Sequence, residues 1–187
     1  PTLNSGSTVK YTGNGDSLTT NYTIADWTYH HLTVASPDAG DTFATPNATE
    51  DVNGNFTLSA GTFTAPSGNF TIGGNFTNNA TFTHNSGTVV FNDATKTSVL
   101  AGSGSPAITF NNLTVTTASK ALQFTVGETF RINGVLTLTG SSGNNVTINS
   151  TTSSQWYINH QGTEAVTYTT ITNSGCDASS TTITVSD

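Results

Sequence analysis

Apolar and polar residues alternate along short runs of this chain, as in Phe56-Thr57-Leu58, Phe70-Thr71-Ile72, Leu136-Thr137-Leu138 and Val146-Thr147-Ile148. A period of two turns the apolar side chains to one face of an extended strand and the threonines to the other. Gly, Asn, Ser and Pro interrupt these runs, bounding each strand with turns. No stretch repeats apolar residues at helical spacing, so the pattern predicts an all-β chain.

The runs themselves recur. Phe56 returns as Phe76, Phe63 as Phe82, and Phe91 as Phe110 and then Phe130, each at nearly the same spacing. Leu136 and Leu138 return as Trp156 and Ile158, and Ile148 as Tyr168. A longer repeat overlies this one. Val9 and Tyr11 match Val89 and Phe91, Trp27–Val34 matches Ile108–Val115, and Asp51–Leu58 matches Arg131–Leu138, in the same order and at a common offset. Collinear blocks of this kind mark a duplicated unit, here of about 80 residues. The two periods together predict a single β-solenoid over 1–187 with rungs of about 20 residues, divided into units 5–84 and 85–187. Some nine rungs spaced about 4.8 Å apart would make a rod of about 45 Å. Phe56, Phe63, Phe76, Phe82, Phe110, Phe130, Leu138 and Ile158 are the expected core columns. The alternative architecture is two tandem β-sandwich domains, one per unit, which regular turn signals would also suit.

Composition narrows the function. Charged residues are 8% of the chain, apolar residues 33%, and 40 Thr, 20 Ser, 20 Asn and 18 Gly supply the polarity. With a net charge of −7 and four Lys and Arg in all, the chain lacks the cations that nucleic acid or anionic lipid would require. No apolar stretch approaches the length that spans a bilayer as a helix. A chain opening on Pro1 rather than Met is expected to have lost a signal peptide or to be an excised segment. Cys176 is the single cysteine; it permits no internal disulfide and reads as a small buried thiol.

Asn75–Asn92, Ile108–Val115, Val135–Asn159 and the closing Val166–Ser180 resemble the repeat modules of large microbial surface proteins, similar to adhesins of the filamentous-haemagglutinin type. The resemblance implies a right-handed parallel β-helix in a secreted, surface-exposed building element. It brings no catalytic residues with it.

The candidate chemistry is thin. Asp38 and Asp41 flank a Pro-Asp-Ala-Gly turn and Glu50-Asp51 precedes a strand, and both pairs read as solvated rather than as a catalytic acid and base. His30 and His31 are adjacent and point to opposite faces of a strand, poor geometry for a shared metal. His84 and His160 stand apart. No cofactor is expected. Thr-x-Thr pairs, such as Thr62/Thr64, Thr81/Thr83 and Thr137/Thr139, recur too irregularly for a lattice-matching array and fit outward strand positions. Nine Asn-x-Ser/Thr sequons are candidates for N-glycosylation: Asn21, Asn47, Asn55, Asn69, Asn75, Asn79, Asn112, Asn145 and Asn149. Roughly six would arise by chance at this composition. Trp27 aligns with Ile108 and is expected in or near the core; an exposed Trp27 beside Tyr29 would favour a surface glycan or receptor site.

The leading expectation is a non-enzymatic, extracellular structural subunit of a surface filament. Solenoid ends leave strand edges and apolar columns uncovered. The closing Thr-Thr-Ile-Thr-Val-Ser-Asp reads as a strand whose Ile183 and Val185 would meet Val9 and Tyr11 of the next copy, giving a head-to-tail homopolymer. The alternative is an adhesin segment or a carbohydrate- or receptor-binding module of a larger surface protein.

Overall fold

A computed structural model describes residues 1–104 and 107–184. The chain winds into a β-solenoid of about seven turns with about 23 residues per turn, and no helix occurs among the described residues. Each full turn lays down three short strands, so the solenoid has three faces. Face one is a continuous sheet of β1 (Thr8–Tyr11), β3 (His31–Ala35), β6 (Phe56–Ala60), β9 (Phe76–Asn78), β12 (Thr97–Gly102), β15 (Ala121–Phe124), β18 (Val146–Ser150) and β21 (Thr169–Ile171). Face two is two four-stranded sheets. The first holds β2 (Asn21–Thr23), β4 (Thr42–Ala44), β7 (Thr62–Thr64) and β10 (Thr81–Thr83). The second holds β13 (Ile108–Phe110), β16 (Thr129–Ile132), β19 (Trp156–His160) and β22 (Ser174–Cys176). Face three holds β5 (Glu50–Val52), β8 (Asn69–Ile72), β11 (Thr88–Phe91), β14 (Asn112–Val115), β17 (Leu136–Thr139) and β20 (Glu164–Thr167). A bridge from Tyr29 to Val52 adds a position ahead of β5. All named strands pair in parallel. Two sandwich cores are therefore excluded.

The alternation acts as the sequence suggests. Inward residues stack into columns, such as Val9, Leu32, Phe56, Phe76, Leu100 and Phe124 on face one. Of the expected core residues, seven are buried; Phe82 is only partly so. Among the described residues its strand β10 has no bonded partner on its far side, where the rings of Phe82 and Phe110 meet with centroids 6.3 Å apart. The outward positions carry a second ladder. The N–H of Asn55 donates to His31 Nδ1, that of Asn75 to Asn55 Oδ1 and that of Val99 to Asn75 Oδ1, each 2.9 Å. These acceptors tie three successive turn-to-turn steps together along one edge of face one.

The turn length differs from the sequence expectation, for a reason visible in the corners. Phe56 pairs with Phe76 and Phe63 with Phe82, which is the spacing of the sequence repeat. Leu138 pairs with Val166, a much longer step, because the corners Gly140–Asn145 and Thr151–Gln155 bulge out between strands. Seven steps at about 4.8 Å give a rod of about 34 Å rather than 45 Å. Several expected columns dissolve accordingly. Phe110 pairs with Ile132 and Phe130 with Ile158, while Phe91 lies on face three beside Ile72. Leu138 and Ile158 belong to different faces, and Ile148 pairs with Ile171 rather than Tyr168.

The duplication survives in another form. Leu32 on β3 corresponds to Leu113 on β14, Val52 on β5 to Ile132 on β16, and Phe56 on β6 to Leu136 on β17. Each step advances eleven strands. At three strands per turn that is three and two-thirds turns, so a residue of the first unit recurs on the preceding face of the second.

Candidate functional site at the ends of the solenoid

At the first end, β1 and β2 are outermost on their faces and pair on one side only. Val9 and Tyr11 point inward from β1 but stay half-buried, since β1 is the outermost strand described on this face. The Tyr11 hydroxyl accepts from the Ala25 N–H at 2.9 Å and lies 2.8 Å from the Tyr29 hydroxyl, which donates to the Ala25 carbonyl at 2.6 Å. Residues 1–3 add a short ribbon to face three, with Thr28 N–H donating to Pro1 O and Leu3 N–H to Thr28 O, both 2.9 Å.

Of the acids read as solvated, Asp51 is exposed and Asp38 half-buried, whereas Asp41 and Glu50 are buried. Asp41 is fully buried and accepts from the Thr20 N–H at 2.9 Å and the Ser36 hydroxyl at 2.6 Å. Asp38 accepts from the Ser17 N–H at 3.2 Å, so together these acids zip the loop of residues 12–20 to the corner beneath it. Glu50 is the larger surprise. It faces inward on β5 at the head of the column continued by Phe70 and Val89, and is 4% exposed. Its Oε2 is buried without a hydrogen-bond partner. Burial pushes its carboxyl up to about 8; the Asp51 backbone N–H works against this, and the charges of Asp26 and Asp51 add to it. The other buried, partnerless side-chain atoms among the described residues, Tyr22 Oη and Asp38 Oδ2, also lie in these first turns. Buried polar groups are normally paired, so the orphans single out this end.

Trp27 is 36% exposed, where the sequence match to Ile108 predicts burial. Tyr29, its neighbour on the inward side, is fully buried, with the ring centroids 6.2 Å apart. Trp27 roofs a polar cleft of about 260 Å³ with Asp26, Thr28, Thr49, Glu50, Asp51 and the ribbon Pro1-Thr2.

At the second end, β20, β21 and β22 are outermost. The lumen opens into an apolar hollow of about 390 Å³, with Leu138, Ile148, Trp156, Ile158 and Ile171 among its walls. Elsewhere the next turn seals such side chains. Cys176 shows the change: it sits in the inward column behind Ile158, yet is exposed rather than buried because no described strand follows β22. The described part of the closing segment does not form the expected strand. Residues 181–184 are irregular and cross this end as a strap, with Ile183 partly buried against the chain's own core. The strap is anchored on buried His160, whose carbonyl accepts from the Thr181 N–H at 2.7 Å and whose Nδ1 lies 2.8 Å from the Thr181 hydroxyl. Val185 lies outside the described residues.

The remaining candidates scatter. His31 serves the edge ladder, and its ring is held below the usual histidine range by burial and by His30 and Lys96. His84 Nδ1 accepts from the Ser86 N–H at 3.1 Å. Thr62/Thr64 and Thr81/Thr83 do share face two in register, but Ala44 and Asn21 interrupt their columns. Among the sequons, Asn21, Asn47, Asn69 and Asn79 are exposed, whereas Asn55, Asn75, Asn112, Asn145 and Asn149 are half-buried. Asn55, Asn75 and Asn112 each accept a backbone N–H from the following turn.

No protein-family model, curated protein or solved structure matches this chain.

Proposed function

We propose that the chain is a non-enzymatic building element of an extracellular surface fibre, in which solenoids stack head to tail. The observation that carries this reading is face one. Its eight strands run parallel in one unbroken ladder, and among the described residues β1 and β21 each have one unpaired edge pointing along the rod. The outer edge of β21 on one copy complements the outer edge of β1 on the next, as any two neighbouring turns do within the chain. Stacking in that sense is heterologous and does not close, which yields a filament. It would also cover the half-buried Val9 and Tyr11 and roof the apolar hollow beside Ile171. Both effects favour association, because exposed apolar surface and unpaired edges are removed together. The strap at Ile183 would have to lie aside or become part of the joint.

The same ends suit neighbouring segments of one longer polypeptide, as in an adhesin stalk. Light scattering and negative-stain microscopy of the pure chain separate the two. Concentration-dependent rods whose length grows in steps of about 34 Å are expected for self-stacking. A strict monomer at all concentrations would refute it.

A further inference from the structure

The outward side of the first sheet on face two is a regular array. Its strands β2, β4, β7 and β10 each present two outward residues, and their three pairings keep one register without a bulge. One row reads Asn21, Thr42, Thr62 and Thr81, the other Thr23, Ala44, Thr64 and Thr83, so six of the eight positions are threonine. The sequence hides this order in two ways. It mixes in pairs from other faces, such as Thr137/Thr139 on face three, and the corners absorb loops of unequal length.

The array is also level and uncharged. An aromatic ring lies beneath every strand, in the column Tyr22, Phe43, Phe63 and Phe82. Tyr22 stacks on Phe43 with centroids 4.9 Å and planes 16° apart, and Phe63 on Phe82 at 6.3 Å and 19°. A repeated ring ladder of this kind favours a flat sheet over a twisted one. Of the eight residues flanking the strands, only Asp41 and His84 are titratable, and Asp41 is fully buried. The other outward surfaces carry charge: Lys10 on face one, Asp51 on face three and Arg131 on the second sheet of face two.

We propose that this face adsorbs to ice. Neighbouring strands stand about 4.8 Å apart and alternate residues of one strand about 6.6 Å apart, so the mesh extends over about 14 Å of the rod. That mesh approximates the oxygen repeats along two axes of hexagonal ice. Each threonine offers a hydroxyl that can take the place of a lattice water, with one donor and two acceptor sites, beside a methyl that fills the space between waters. Among the described residues the hydroxyls of Thr23, Thr62, Thr64, Thr81 and Thr83 have no protein partner, and only that of Thr42 is engaged, donating to Asn21 Oδ1. Ala44 keeps the methyl and lacks the hydroxyl, while Asn21 stands at the outer end of its row, so the two thin the array without breaking it. The site lies on the flank of the rod and is independent of stacking at β1 and β21.

The test is partition of the pure chain between a slowly growing ice shell and the remaining liquid, beside an inert globular protein of similar size. Enrichment in the ice over that control is expected, with faceted growth of single crystals in the chain's presence. Thr62→Lys sets a strongly hydrated charge in the middle of the array and should lower the partition to the control level. Thr57→Lys, the same change at a half-buried outward position of face one, should leave it unchanged. Circular dichroism checks that both variants fold. Ala44→Thr completes the second row and should raise the partition above that of the wild type. Microcrystalline cellulose and chitin are assayed alongside, because a flat hydroxyl-bearing face also suits an ordered polysaccharide. Exclusion of the wild type from ice, whether or not it binds either polysaccharide, would overturn the proposal. Undiminished adsorption of Thr62→Lys, or an equal loss in Thr57→Lys, would do the same.

Discussion

Replacing Phe76 with alanine removes a ring that is fully buried in the middle of the rod. It packs against Phe56 at 5.1 Å, Phe82 at 5.1 Å and Phe110 at 5.6 Å, and is flanked along the column by Phe56 and Leu100. Backbone ladders hold those neighbours on both sides, so the surroundings have little room to collapse into the space. The loss should fall in the upper part of the range for Phe→Ala, about 3–5 kcal/mol. For a chain of this size that lowers the thermal midpoint by roughly 10 °C. A solenoid turn touches only its neighbours, so weakening the centre should also split the transition. Trp156, stacked on Phe124 at 4.2 Å, reports the later turns. In a Trp27→Phe background its fluorescence and the far-UV circular dichroism should coincide during urea unfolding, and separate once Phe76→Ala is added. The matching change at Phe82, partly exposed beside the gap in face two, should cost roughly half as much. A loss below about 1 kcal/mol at Phe76 would refute the column packing, since no buried ring in a tight core comes out so cheaply.

Two further changes probe the corners. Lys120 is fully buried and donates to Asp93 O at 2.9 Å, Lys96 O at 2.8 Å and Ser98 Oγ at 2.7 Å. Lys120→Met leaves those acceptors unsatisfied and should cost about 2–4 kcal/mol at pH 7. Burial also lowers the Lys120 amine from 10.5 to about 8, so between these values the unfolded chain holds a proton that the folded chain has shed. Wild-type stability should therefore rise with pH across that window, a trend absent from the methionine variant, as urea midpoints would show. Gly162→Ala would set a Cβ 1.9 Å from the Gly134 carbonyl oxygen of the turn below. It should destabilise by about 1–3 kcal/mol or more in the same assay.

Much of the fold could be read from alternation alone, and the limits of that reading have one origin. Alternation says whether a residue points in or out, and it placed Phe56, Phe76, Phe63 and Phe130 inside the solenoid. It does not say which of three faces a strand occupies. A uniform rung length is right around Phe56 and Phe63, where the corners are tight, and wrong after Leu138, where the corners bulge. Glu50 escaped notice because an acid between Thr49 and Asp51 looks solvated. The signal was present nonetheless: if Val52 faces inward on a strand, Glu50 does too. Trp27 and the strap at Ile183 were misjudged for a different reason. Both sit at ends, where no neighbouring turn enforces the pattern.

The eleven-strand repeat has a consequence for any longer array of such units. Because each unit falls one-third of a turn short of four, a side chain displayed by every unit would not line up along the fibre but would travel around it, as on a spiral stair. Three units, thirty-three strands, restore the original azimuth. A flat surface pressed against such a fibre would therefore meet the same group from every third unit, while a partner wrapped around it would meet all of them. Lateral bundling and encircling binders would thus read different spacings from one and the same sequence.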